Sequence, residues 1–294
     1  MKRAAVILGI SLGMLSLPTV QATGQTSGQP AGQAAQPAPA AGATAPAAKR
    51  PPQAKTQPEF DAWKAASANT DPAALEKAAD DFATKFPDSE LRILLYQTAM
   101  RLYQNVNNPD KTEAMGRKVL SLDGDYPEAL VVVSEVIAEK TRDTDIDRDQ
   151  RLGEAATMAQ KALKTIDTDI TASPGTPQDK IDAYKAGLRS QSYSILGAID
   201  YKKEDFAAAQ SDLQKAIDAY PSDPQAVDVL RLALALDKQQ KYPEALKMAD
   251  KAVAMTQDNT AIGTPARRER ERLQQLTGSA APAAPAQAQT PPKN

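Results

Sequence analysis

Residues 193–221 read YSILGAIDYKKEDFAAAQSDLQKAIDAYP, and this stretch decides the fold. Apolar and small residues recur at three- and four-residue spacing on either side of Lys203-Glu204-Asp205, which predicts two helices joined by a short turn. Gly197 and Ala209 are small enough to let those helices approach closely. Phe206 fills the corner just after the turn, and Pro221 ends the second helix. The pattern returns 36 residues later, where Leu232, Tyr242, Ala245 and Ala252 match Leu196, Phe206, Ala209 and Ala216. An enlarged turn around Pro221-Ser222-Asp223-Pro224 accommodates the spacing.

The unit resembles the tetratricopeptide repeat, a helix–turn–helix of about 34 residues. Tyr193, Leu196, Gly197, Tyr201, Phe206, Ala209, Ala216 and Pro221 carry the resemblance. Two departures stand out. Asp200 occupies the usual Tyr position, with Tyr201 one residue late, and the site of Gly197 is Ala233, Ser134 or Met100 in the other copies. Upstream, Tyr96, Ala99, Tyr103, Val119 and Leu120 fit one unit. Leu130, Val133, Ile137, Ala155, Ala159 and Ala162 fit another, with about nine residues inserted around Thr141 to Asp149. A half-unit runs from Leu75 to Ser89, and a long helix is expected from Pro177 to Lys203, preceded by the loop Thr168 to Thr176. The last helix, Ala266 to Leu276, is highly charged and stops before Gly278, as the polar outer face of a finished solenoid requires. The expected fold is all-α, a tandem helix–turn–helix tetratricopeptide solenoid over residues 58–278.

Outward from that block the composition changes. Residues 1–22 read as an export signal: Lys2 and Arg3, an apolar run from Ala4 to Leu17, then Val20-Gln21-Ala22 for cleavage before Thr23. The apolar run is shorter than the roughly 20 residues of a comfortable membrane span. Residues 23–57 and 279–294 are rich in Ala, Pro, Gln, Gly and Thr and cannot bury enough apolar surface to offset chain ordering, so both are expected to be disordered. The expected location is periplasmic or secreted, with no integral membrane span after signal cleavage.

The chain of 294 residues has no Cys and no His, which excludes thiol nucleophiles, disulfides, His-based acid–base pairs and the usual zinc and haem ligand sets. Without residues 1–22 it keeps 33 basic and 37 acidic side chains, a net charge of −4 and no broad basic field for a nucleic-acid backbone. Gly9-Ile10-Ser11-Leu12-Gly13 imitates a hydrolase nucleophile elbow, but it lies inside the signal and has no His partner. Asp143 to Glu154 places acids at the first, third, fifth and twelfth positions of a calcium loop, yet Arg148 stands where Gly makes the sharp turn. The plainer reading is an acidic loop leading into a helix. No catalytic residue, metal ligand or cofactor is assigned.

The resemblance implies that the first helix of each pair lines a concave groove. Its geometry places Gln191, Ser194, Ala198, Tyr201 and Lys202 there in one unit, and Val227, Leu230, Leu234, Asp237 and Lys238 in the next. Earlier counterparts are Glu128, Val131, Glu135, Ala138 and Glu139. Leu230 and Leu234, one turn apart, read either as groove anchors or as core packed on Tyr201 or a neighbouring helix. The expected function is a non-catalytic scaffold of the bacterial cell envelope that binds a protein or peptide segment in this groove. Two other classes stay open: a self-associating envelope spacer, in which homo-oligomers form, and a glycan-acting enzyme that uses only carboxylates.

Overall fold

The computed structural model describes residues 49–173 and 175–278. Among these the chain forms helices and no strand. The helices are α1 (Gln57–Ser67), α2 (Pro72–Lys85), α3 (Arg92–Asn105), α4 (Pro109–Leu122), α5 (Pro127–Lys140) and α6 (Arg148–Asp169). They continue as α7 (Gln178–Lys202), α8 (Phe206–Ala219), α9 (Ala226–Lys238), α10 (Tyr242–Ala254) and α11 (Gly263–Gly278). Successive helices pack in hairpins, α1 on α2 through α9 on α10, and α11 closes the array against α10. No helix among the described residues is long and apolar enough to cross a membrane.

Local chemistry starts and stops these helices. Pro occupies the first turn of α1, α2, α4, α5 and α10, where its missing N–H costs nothing. Side chains of Asp71, Asn108 and Asp205 cap α2, α4 and α8 by accepting from the N–H groups of Ala74, Lys111 and Ala208 at 2.8, 3.2 and 3.0 Å. Three hairpins then turn in the same way. Asn107, Glu204 and Gln240 take left-handed φ values of 54°, 61° and 61°. The next residue in each case donates its N–H five residues back, to the carbonyls of Tyr103, Asp200 and Leu236 at 3.0, 2.9 and 3.0 Å. This is the Schellman closure, made without glycine. It places the expected turn at Lys203-Glu204-Asp205 where the sequence puts it.

Small residues set how closely paired helices approach. A Cβ on Gly197 would lie 2.6 Å from Leu213 Cγ, so α7 and α8 touch there as expected. The copy with Met100 at this position also packs closely, because the small residue has moved to the facing helix as Gly116. Ser134 and Ala233 are fully buried in their own copies.

Three contiguous apolar clusters run along the array. Helix α5 is buried almost all round, from Pro127 to Ala138 apart from Glu135, and it sits at the centre. The half-unit from Leu75 to Ser89 is a complete hairpin, since α1 precedes it and buries Trp63 and Ala66 against the first cluster. The extra residues of the third hairpin form the connection 141–147 and lengthen α6. Before the long α7 the described residues 170–173 and 175–177 are non-helical.

The segment expected as linker over 23–57 meets the described residues at Lys49. Residues 49–56 run past the α2–α3 connection and the ends of α4 and α6, and Gln57 already belongs to α1. A capping box explains the entry into α1: Thr56 Oγ1 accepts from Glu59 N at 3.3 Å, and the Glu59 carboxylate accepts from Lys55 N at 2.7 Å. The same carboxylate accepts from the Ser89 hydroxyl, which ties the first hairpin to the second. The expectations for 1–22, 23–48 and 279–294 lie outside the described residues.

Candidate functional site

Polar side chains on the first helices of consecutive hairpins, α3, α5, α7 and α9, and on α11 help to join one repeat to the next. In the N-terminal half these meet at Glu128, which is 9% exposed. Arg101 of α3 donates to both its oxygens, Nε at 2.5 Å and Nη2 at 2.6 Å. Gln97 Nε2 donates at 2.5 Å and the Tyr184 hydroxyl at 2.9 Å. A carboxylate taken out of water is tolerable when it is satisfied in this way. Burial, with the Glu128 charge next, pushes the Tyr184 hydroxyl well above its ordinary value. Arg101 is held more firmly protonated than usual, because the carboxylate outweighs the desolvation that opposes it.

A cavity of about 190 Å³ opens above this floor, lined among others by Arg101, Gln104, Tyr184, Gln191 and Gln225. Gln104, Gln191 and Gln225 are exposed, and the Arg101 side chain keeps 39% of its surface accessible. The surface offers amide donors and acceptors and one guanidinium edge. These are groups suited to the backbone of an extended polypeptide.

The expected groove residues fall into three groups. Some form seams. Ser194 Oγ donates to Asp228 of α9 at 2.5 Å, and Lys202 Nζ donates to the carbonyls of Ala138 and Thr141 at 2.6 and 2.8 Å. Asp237 pairs with Arg272 of α11. Burial lowers the Lys202 ammonium below its ordinary value and raises the Asp228 carboxyl above its own.

Others are core. Leu230 is 5% exposed within the third cluster, which corrects its reading as a groove anchor, and Leu234 is partly buried against the same cluster. Tyr201 packs edge-on to Phe206 with ring centroids 5.3 Å apart. Val131 and Ala138 are likewise buried, within the second cluster, which also holds Leu188 of the long α7 and has Tyr184 packed against it. The remaining group is open to solvent: Gln191 and Lys238 are exposed and Val227 is half-buried.

Gln97, Arg101, Gln104 and Asn105 were not assigned from sequence. They occupy the register positions of Ser194, Ala198, Tyr201 and Lys202 displaced by 97 residues, the same displacement that relates Gly197 to Met100. Extending the register to the weaker copy would have found them. Tyr184 has no such signal, since it lies in the part of α7 that exceeds the repeat.

The acids of the calcium-like stretch disperse to separate cations. Asp143 faces Arg148 at 3.4 Å, Asp145 faces Arg151 at 3.6 Å, and Glu154 pairs with Arg117 of α4 at 2.9 Å. No group of three or more acidic side chains among the described residues is arranged to hold a metal ion.

Residues 230–258, from α9 through α10, match the tetratricopeptide repeat family. No curated protein matches the chain. Among solved structures, a thermophilic TPR protein of Thermus thermophilus is 15% identical, with a TM-score of 0.40 over 74% of this chain and 100% of that one. An assembly chaperone of RpL4 is 11% identical, with a TM-score of 0.41 over 76% of this chain and 99% of that one.

Proposed function

We propose that this chain, whose residues 230–258 match the tetratricopeptide repeat, is an exported, non-catalytic scaffold that binds an extended protein segment on its concave side. Arrays of this kind are protein-interaction scaffolds. The observation that carries the reading is the amide-rich surface of Gln104, Gln191 and Gln225 around the rigid Arg101–Glu128–Tyr184 floor. The floor is already satisfied internally, so it holds the surface in shape. The Gln104 and Gln191 amides stay free to meet a main chain, whose every residue offers one N–H and one C=O, while Gln225 also donates to the Asp223 carbonyl at 3.3 Å.

A photo-crosslinking residue placed at Gln191, compared with one at the exposed Lys247 on α10, tests this in the native cell. The expected result is a discrete protein adduct from position 191 that position 247 does not give. Equal adducts from both positions, or none from 191, would reject groove binding. Export is a part of the proposal that rests on residues 1–22. The mature chain recovered from the periplasm or medium should begin at Thr23, and a full-length cytoplasmic protein would refute it.

A further inference from the structure

We propose that the edge of the array formed by the α2–α3 connection and the ends of α4 and α6 is a receptor for an extended basic segment of a partner protein. That segment has two adjacent cations followed by a bulky apolar side chain, and residues 49–56 of this chain occupy the site in its absence. The site lies apart from the concave cavity and shares no lining residue with it.

The way residues 49–56 sit on the edge defines its chemistry. Lys49 Nζ donates to both Asp123 oxygens at 2.8 and 2.9 Å and also pairs with Asp169, while its backbone N–H donates to Thr168 O at 3.3 Å. One ammonium therefore bridges the last turns of α4 and α6. Arg50 forms a two-pronged contact with Glu90, Nη1 at 2.8 Å and Nη2 at 2.5 Å, and Gln53 N donates to Glu90 Oε2 at 3.2 Å. Lys55 Nζ reaches Asp88 O at 2.8 Å. Helix C-termini carry partial negative charge, and here those of α4 and α6, with their own carboxylates, face Lys49, while Glu90 and the Asp88 carbonyl of the α2–α3 connection take Arg50 and Lys55.

This occupant fits the charges and underfills the rest. A cavity of about 370 Å³ stays open beside Pro52, with Ile93 and Leu122 on its apolar side. Leu122 is 37% exposed, one of few large apolar side chains left uncovered among the described residues. Lys49 and Arg50 remain 40% and 62% exposed, so their ion pairs are weak and screened by salt. A segment that brings the same two cations and fills the apolar space displaces such an occupant.

The test uses fluorescence anisotropy with two labelled synthetic peptides, residues 49–56 as they stand and the same peptide carrying Pro51→Leu and Pro52→Leu. Each is titrated with the full mature chain and with its Lys49→Ala/Arg50→Ala variant, all checked for a common melting transition. Expected are binding about tenfold tighter to the variant than to the unaltered chain, and a preference for the leucine peptide. Adding Glu90→Gln and Asp123→Asn to the variant should remove the binding. Equal affinity for the unaltered chain and the variant, no binding to either, no preference for the leucine peptide, or binding that survives Glu90→Gln and Asp123→Asn overturns the proposal.

Discussion

Met100 on α3 and Gly116 on α4 face each other in the reverse sense to Gly197 on α7 and Leu213 on α8. A Cβ on Gly116 would stand 3.2 Å from Met100 Sδ and 2.4 Å from Val133 Cγ2 of the next hairpin, and one on Gly197 would stand 2.6 Å from Leu213 Cγ. Each pair is separated by 16 residues, as are Ala233 and Ala249, both fully buried, in the α9–α10 hairpin. Bulk on one helix is matched by its lack on the other. Gly116→Leu and Gly197→Leu should each cost about 1–3 kcal/mol by overpacking, read from urea unfolding. Gly197→Ala with Leu213→Ala should lose less than the sum of the single losses, with a coupling of about 0.5–3 kcal/mol. Simple additivity would show that the two side chains do not share this contact.

The three Schellman turns place non-glycine residues at left-handed φ, which costs an L-residue about 1–2 kcal/mol. Glycine gives part of this back through its greater freedom in the unfolded chain. Glu204→Gly and Gln240→Gly should therefore stabilise the protein by about 0.5–1 kcal/mol each. Asn107→Gly should be closer to neutral, because Asn tolerates this conformation best of the three. Thermal unfolding that ranks Asn107→Gly highest would contradict the strain argument.

Asp228 is 1% exposed and takes a hydrogen bond from Ser194, with Arg231 3.7 Å away. Burial raises its carboxyl above the ordinary value of 3.8, so the folded state holds the proton more tightly than the unfolded one. Stability from this group is therefore highest below that ordinary value and is lost as pH rises through the raised one. Asp228→Asn should melt above the unaltered protein at neutral pH, and the gap should close on acidification. A gap that widens toward low pH would show that Asp228 is stabilised as the anion.

Arg101→Ala leaves Glu128 with Gln97 and Tyr184 as its remaining donors. With the arginine side chain 39% exposed, water replaces part of what is lost, and the expected cost is about 1–3 kcal/mol. Tyr184→Phe should cost about 1.5–3 kcal/mol, as for one hydrogen bond to a charged group. Glu128→Ala together with Arg101→Ala should be milder than Arg101→Ala alone, since no buried charge is then left short of partners. Melting curves of the four proteins decide this.

The helix–turn–helix unit, its 36-residue return and the turn at Lys203 to Asp205 were all legible in the residues. So were the charged closing helix and the close approach at Gly197. All of these depend on neighbours within one hairpin, where helical period and turn chemistry act over a few residues. The first hairpin was half legible, because α1 carries few apolar residues and is held by Trp63, the Glu59 cap and a hydroxyl from Ser89.

The candidate site was legible in position more than in role. Register placed Ser194, Lys202, Leu230 and Asp237 on the first helices, which is where they are. Their partners, however, sit in other repeats: Asp228, the carbonyls of Ala138 and Thr141, the third apolar cluster and Arg272. A local pattern fixes which face a side chain leaves from. Whether that face meets solvent or the next repeat depends on superhelical curvature and on insertions such as the long α7, which brings Tyr184 over Glu128. The sequence by itself thus determined the repeating unit, through short-range periodicity. Tertiary stacking alone decided which polar side chains join the repeats, and which, like Gln104 and Gln191, stay free to meet another chain.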